Sequence, residues 1–283
     1  MPRAPEPPVT LPPGCVVHVP SRGEFFVRDS GGDGPPLLLL HGWMFSADLN
    51  WFRAYDTLIE AGYRVLALDH RGHGRGLRSA EGFSLRACAD DAAALLAHLE
   101  VEPALVCGYS MGGPIAKLLA RHHGERVTAL VLCATANDWS HPRMKAFWRV
   151  MGGLRLLLGL APTAAWRRGL RAAGFPDSPV TDWVVAELSR GSARDIAEAG
   201  RELGRFDSRS WAASLEVPAA VIVTTQDTGV PPDKQRALAA SLRAPTFEVH
   251  GDHSAVTTRA SEFNAQLLRA LASLREVEPA ASR

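Results

Sequence analysis

The chain has 283 residues, of which 46% are hydrophobic, and a formal charge of +1 at neutral pH. That length accommodates one large core, or one core with an inserted subdomain. Acids and bases are interspersed, so the balance suggests neither a nucleic-acid footprint nor a basic membrane-binding face; a small neutral or mildly polar substrate fits better.

Residues 1–14, MPRAPEPPVTLPPG, are proline-rich and lack the apolar centre of a signal peptide, which predicts an extended lead-in rather than an export signal. The longest leucine-rich runs, at 37–40 and 154–161, fall far short of the roughly 20 apolar residues that span a bilayer, so a cytoplasmic protein without membrane insertion is expected. Cys15, Cys88, Cys107 and Cys133 are scattered, with neither a disulfide framework nor a paired zinc-ligand spacing, and read as free structural thiols.

Short apolar runs then alternate with alanine- and leucine-rich segments of helical period, the pattern of a mostly parallel sheet with helices on both faces. Strands are predicted at 15–19, 23–29, 36–42, 64–69, 104–108, 128–133, 219–224 and 246–251, the first two as an antiparallel edge. Runs such as LLLL, VLAL and ALVLC have lost polar alternation, as central strands covered on both faces do. DDAAALLAHLE and PIAKLLARHHGE read as helices, the second with Gly124 as its stop. From Asp138 to Trp211 no strand is evident, which marks an insertion between two strands. Within it Met144, Phe147, Trp148, Met151 and Leu154 share one helical face, a stripe that serves either to pack on the main core or to line a substrate cavity.

In CGYSMGG (107–113), Ser110 sits between Gly108 and Gly112, directly after a strand and before a helix, the setting of a nucleophile elbow. A tight structural turn is the competing reading, and a phosphate loop is disfavoured because no lysine follows the glycines. A serine hydroxyl is a weak nucleophile and needs a base that is itself oriented by an acid. Asp227 follows the strand at 219–224 and His253 follows the last strand, so both are expected at the sheet edge that carries Ser110. Asp138 is an alternative acid and His250 an alternative base, while Asp252 reads as a turn residue. The N–H groups of Trp43 and Met111 are the candidate oxyanion donors. His41 and the histidines of DHRGHG (69–74) read as hydrogen-bonded loop residues, and no metal or cofactor site is expected.

Together HGWM, DHRGHG, GYSMGG, QDTGVPP and GDHS, in this order and spacing, resemble the α/β-hydrolase fold family over about residues 23–272. The resemblance implies a core of 15–137 and 212–274, a helical cap at 138–211 and a tail at 275–283. It also implies a Ser110–Asp227–His253 triad, an oxyanion hole at Trp43 and Met111, and cleavage of a small to medium apolar ester beneath the cap, with Phe147, Trp148 and Met151 as pocket candidates. The lipase-like HGGG sequence is absent, and a serine nucleophile argues against the dehalogenase and epoxide hydrolase branches, which use aspartate. Carbon–carbon hydrolases, lactonases and cofactor-free perhydrolases share the same residues, and a noncatalytic receptor is a reading of a different class.

Overall fold

The computed structural model describes residues 5–139 and 151–275. Eight strands form one sheet: β1 (Gly14–Val19), β2 (Gly23–Asp29), β3 (Pro36–Leu40), β4 (Arg64–Leu68), β5 (Ala104–Tyr109), β6 (Val127–Cys133), β7 (Ala219–Thr224) and β8 (Thr246–Val249). Their order is β1-β2-β4-β3-β5-β6-β7-β8. The β1–β2 and β2–β4 pairs are antiparallel, and all other pairs are parallel.

Side chains alternate across this sheet with a period of two, and both faces are apolar because helices cover both. Leu38, Leu40, Leu66, Val106, Leu132 and Val221 enter one buried cluster. It also contains residues of α3 (Leu85–His98), α4 (Gly112–His122) and α9 (Pro232–Leu242). Leu37, Leu39, Val65, Leu105, Val131 and Ile222 enter the other. There they meet α1 (Ala47–Trp51), α2 (Tyr55–Glu60) and α11 (Ala260–Arg275), the last following the short α10 (Ala255–Thr258).

The structure amends three expected boundaries. Helix α3 begins five residues before the sequence pattern suggested, because Ser84 accepts a hydrogen bond from the Ala87 N–H and caps it. Helix α4 ends at His122, and Gly124 opens a 3-10 turn instead of acting as a left-handed stop. Strands β3 and β8 end at Leu40 and Val249, which frees His41–Gly42 and His250–Gly251 to form loops at the edge occupied by Ser110.

Between β6 and β7, the described residues form α5 (Met151–Leu160), α6 (Pro162–Ala172), α7 (Pro179–Leu188) and α8 (Ala193–Arg205). Two strand-like segments flank this region: Asp138 bridges Asp207, and the Ser208 N–H donates to the Asn137 carbonyl at 2.9 Å. None of the described helices is long and apolar enough to cross a membrane.

Candidate active site

Ser110 occupies a left-handed backbone conformation, φ 51°, which a residue with a Cβ adopts only when its surroundings enforce it. Its N–H donates to the Cys133 carbonyl at 2.9 Å, while its carbonyl accepts from the Gly113 N–H and from Thr135 Oγ1, both at 2.9 Å. The glycines make this turn possible by close approach. A Cβ on Gly108 would lie 2.3 Å from the Gly112 carbonyl oxygen, and one on Gly112 would lie 2.1 Å from that of Leu40. Gly113 is equally constrained, by Thr135.

The three residues singled out in the sequence meet here. His253 Nε2 lies 2.9 Å from Ser110 Oγ, and His253 Nδ1 lies 2.7 Å from Asp227 Oδ2. A carboxylate can only accept, so Nδ1 carries the proton and Nε2 presents its lone pair to the serine hydroxyl. The Asp227 side chain is fully buried and that of His253 is 39% exposed, so the imidazole faces the opening while its anchor stays dry.

Asp227 is held from every side. Its Oδ1 accepts from the N–H groups of Gly229 and Val230 at 2.8 Å, and its Oδ2 accepts from Thr224 Oγ1 at 2.9 Å. Gln235 supports Thr224 through a 2.9 Å bond. Tyr109 anchors the histidine loop by donating its hydroxyl to the His253 carbonyl at 2.9 Å. Sequence reasoning missed Thr224, Gln235 and Tyr109, since each carries an ordinary strand or helix signal and acts only across the fold.

The rival residues have other partners. Asp138 accepts from Lys234 Nζ at 2.8 Å, and His250 is exposed beside Gln226. Asp252 accepts from the N–H and hydroxyl of Ser254, a turn contact. Gly42 and Trp43 line a cavity of about 320 Å³ together with Met44, Phe45, Asn50, Tyr109, Ser110 and His253. Asn50 Oδ1 accepts the Gly42 N–H at 3.0 Å and so sets the orientation of the Gly42–Trp43 turn. Met111 is buried at the amino-terminal end of α4, where helix N–H groups lack intrahelical acceptors and the dipole is positive. This arrangement can accept a hydroxyl proton and stabilise a developing oxyanion.

The pocket candidates fare differently. Phe147 and Trp148, with Met144, lie outside the described residues. Met151 is not among the cavity-lining residues; it is buried in the larger apolar cluster with Trp139, Ala197 and Leu203. That corrects its placement as a pocket residue: α5 turns this side chain toward the core. The aromatic wall comes instead from Trp43 and Phe45, and Trp43 is fixed by its indole N–H, which donates to the Ile196 carbonyl on α8 at 2.7 Å. Next to this wall Ser46 Oγ donates to Glu187 on α7 at 3.1 Å, and Arg75 reaches the same carboxylate at 3.2 Å.

Behind the wall lie three buried histidines. His41 Nε2 accepts the His70 N–H at 3.0 Å, which fixes the tautomer in which Nδ1–H donates to the Gly42 carbonyl at 2.8 Å. Burial lowers His41 to about 4 and His73 to about 3, and pushes His70 well below the ordinary histidine value, so all three are neutral at pH 7. Among the described residues no cluster of histidine, cysteine or carboxylate side chains could hold a metal.

Known proteins share both this architecture and the sequence pattern. A family profile described as alpha/beta hydrolase fold matches residues 35–167. The chain is 30% identical over 257 residues to a Variovorax paradoxus protein designated a carbamate hydrolase, RutD, in an alignment covering 85% of this chain and 92% of that one. It is 41% identical over 110 residues to a non-heme haloperoxidase of Rhodococcus erythropolis, although that match spans only 38% of this chain and 39% of the haloperoxidase. The crystal structure of a hydrolase from Pseudomonas aeruginosa PA01 aligns with a TM-score of 0.78 at 25% identity, covering 91% of this chain and 98% of the other. The chain belongs to the α/β-hydrolase fold family.

Proposed function

We propose that this protein is a serine hydrolase that cleaves a carboxylic ester of a small to medium apolar substrate through an acyl-enzyme. The observation that carries the reading is the hydrogen-bonded line from Asp227 Oδ2 through His253 to Ser110 Oγ, opening on a cavity walled by Trp43 and Phe45. In this reading His253 takes the Ser110 proton as Oγ attacks the carbonyl carbon, and Asp227 stabilises the imidazolium that forms. The N–H groups of Trp43 and Met111 receive the oxyanion, a contribution of about 10²- to 10³-fold per donor. His253 then protonates the leaving alcohol, and a water activated by the same imidazole releases the acid. The helices between β6 and β7 act as the cap, with Trp43–Ile196 and Ser46–Glu187 as its contacts beside the pocket wall.

No cofactor or metal enters these steps, and the partner they require is a small-molecule ester. The buried thiols Cys88, Cys107 and Cys133 and the exposed Cys15 are free, which suits a cytoplasmic setting.

A panel of p-nitrophenyl esters of increasing acyl length tests the reading, with Ser110→Ala as control. Turnover that peaks at short to medium acyl chains and vanishes in Ser110→Ala is expected; hydrolysis by the purified variant would refute it. Similarity to a bifunctional esterase/perhydrolase of Acinetobacter calcoaceticus, 36% identical over 111 residues that span 38% of this chain and 40% of that one, favours perhydrolysis by the same acyl-enzyme as a second reading. Peracid formation from acetate and hydrogen peroxide, at a rate exceeding ester hydrolysis, would favour it.

A further inference from the structure

Among the side chains that line the catalytic cavity, that of Asn50 on α1 is buried, 1% exposed, and makes a single hydrogen bond. An N–H can only donate, so the atom that faces the Gly42 N–H, at 3.0 Å, is Oδ1, and Nδ2 is the atom left over. Nδ2 is itself buried and has no partner among the described residues. Leaving two amide donors dry and unpaired is destabilising, and a leucine of nearly the same shape would avoid that penalty. Elsewhere in the core the amide of Asn137 is used at both ends, by Lys117, Ser208 and Ser241. Stability alone is poorly served by an asparagine at position 50, and the one atom of its amide in use is the one set against the Gly42–Trp43 turn.

Gly42 is flanked by that amide and by the nucleophile: a carbon added to it would lie 3.4 Å from Asn50 Oδ1 and 3.5 Å from Ser110 Cβ. Both of its polar groups are held. Its N–H is held by Asn50, and its carbonyl accepts from His41 Nδ1–H at 2.8 Å. The peptide that joins Gly42 to Trp43 is trans, so its N–H points opposite to that carbonyl, away from the buried imidazole of His41. His41 fixes that plane, and Asn50 fixes the plane before it. A glycine without these two bonds has a wide choice of backbone angles, and the direction of the Trp43 N–H would vary with them. The buried Nδ2 is out of reach of a molecule in the cavity, so Asn50 acts through Gly42 and not by touching substrate.

We propose that Asn50 is a positioning residue of the oxyanion hole, a role that rests on the serine hydrolase reading and adds to it a residue outside the triad. By accepting the Gly42 N–H, Asn50 keeps the Gly42–Trp43 peptide aimed at the oxygen that gains charge as Ser110 Oγ attacks. Such aim matters only while charge develops on that oxygen. Its loss therefore slows the chemical step and leaves ground-state binding in place.

Two variants of the full chain test it. Asn50→Leu nearly keeps the volume and removes the acceptor, and Asn50→Ser removes it with a smaller side chain. In each, kcat and kcat/KM on a p-nitrophenyl ester should fall together by about 10²-fold, with KM within about twofold of the parent. The rate at which a fluorophosphonate labels Ser110 should fall in parallel, since its phosphoryl oxygen occupies the same hole. Circular dichroism and thermal unfolding identify which variant folds, and either one suffices. A folded variant with kcat within about threefold of the parent, or one in which KM rises while kcat holds, would overturn the proposal. Labelling separates this role from the ester reading. If the parent is labelled at Ser110 but hydrolyses no ester, the ester reading fails, and the labelling rates of the variants still decide the role of Asn50. A parent that is not labelled at all would overturn both.

Discussion

Lys117 Nζ donates to Ser208 Oγ at 2.7 Å from a position with no solvent exposure. The same ammonium reaches the Ala136 carbonyl at 3.0 Å and Asn137 Oδ1 at 3.2 Å, so one cation on α4 joins the two segments where the inserted helices leave and rejoin the core. Burial lowers Lys117 from 10.5 to about 7, against the opposing pull of the Asp138 and Asp207 charges. Between those two values the unfolded chain holds a proton that the folded chain has released, so stability rises with pH across that window and this contribution is smallest below about pH 7. The stability difference between the parent and Lys117→Met, from urea unfolding midpoints, should therefore be larger at about pH 9 than at about pH 6. An equal difference at both would mean that Lys117 titrates as an ordinary lysine.

The buried histidines predict the opposite limb. His41 and His73 are held at about 4 and about 3, so below the ordinary histidine value of 6.5 the unfolded chain takes up protons that the folded chain refuses. Stability should fall as pH drops through that window, each histidine contributing a slope of up to about 1.4 kcal/mol per pH unit. His73→Leu should flatten the curve by one such contribution, read from unfolding free energies at a series of acidic pH values.

Asp227→Asn isolates the role of the carboxylate. An amide NH₂ facing His253 Nδ1 would force the ring proton onto Nε2, which could then no longer accept from Ser110 Oγ. A loss of about 10⁴-fold in kcat on p-nitrophenyl esters is expected, with little change in KM. A loss below tenfold would show that Asp227 does not set the tautomer.

Glycine substitutions separate close approach from mere flexibility. Gly112→Ala drives a methyl into the Leu40 carbonyl and should cost more than about 3 kcal/mol or prevent folding. Gly153→Ala, on α5 with no heavy atom within 4 Å of the added carbon, should instead stabilise by up to about 1 kcal/mol. Thermal midpoints of the two variants decide, and similar shifts would contradict this account of the elbow.

All eight strands were legible in the sequence to within one or two residues, and for β3 to β7 the reason is that burial on both faces writes continuous apolar runs into a parallel sheet. Ser110, Asp227 and His253 were legible as candidates for a similar local reason: each stands just beyond a strand, with glycines or turn residues to shape its loop. The first turn of α3 is not written in the alanine-rich run, because it rests on the Ser84 cap that precedes that run.

What the sequence by itself determined was a sheet, an inserted helical region and a set of residues destined for one edge. Only the tertiary structure decided which of them touch. Asp227 meets His253 while Asp138 turns to Lys234, Asn50 sets the Gly42 amide, and Met151 packs inward where a pocket residue was expected. Each outcome depends on side chains brought together from distant segments, and local propensity and periodicity carry no record of which distant partner a polar atom will find. Lys117 shows the same limit: its place in the amphipathic pattern of α4 gave no sign that Asn137 and Ser208 would enclose it.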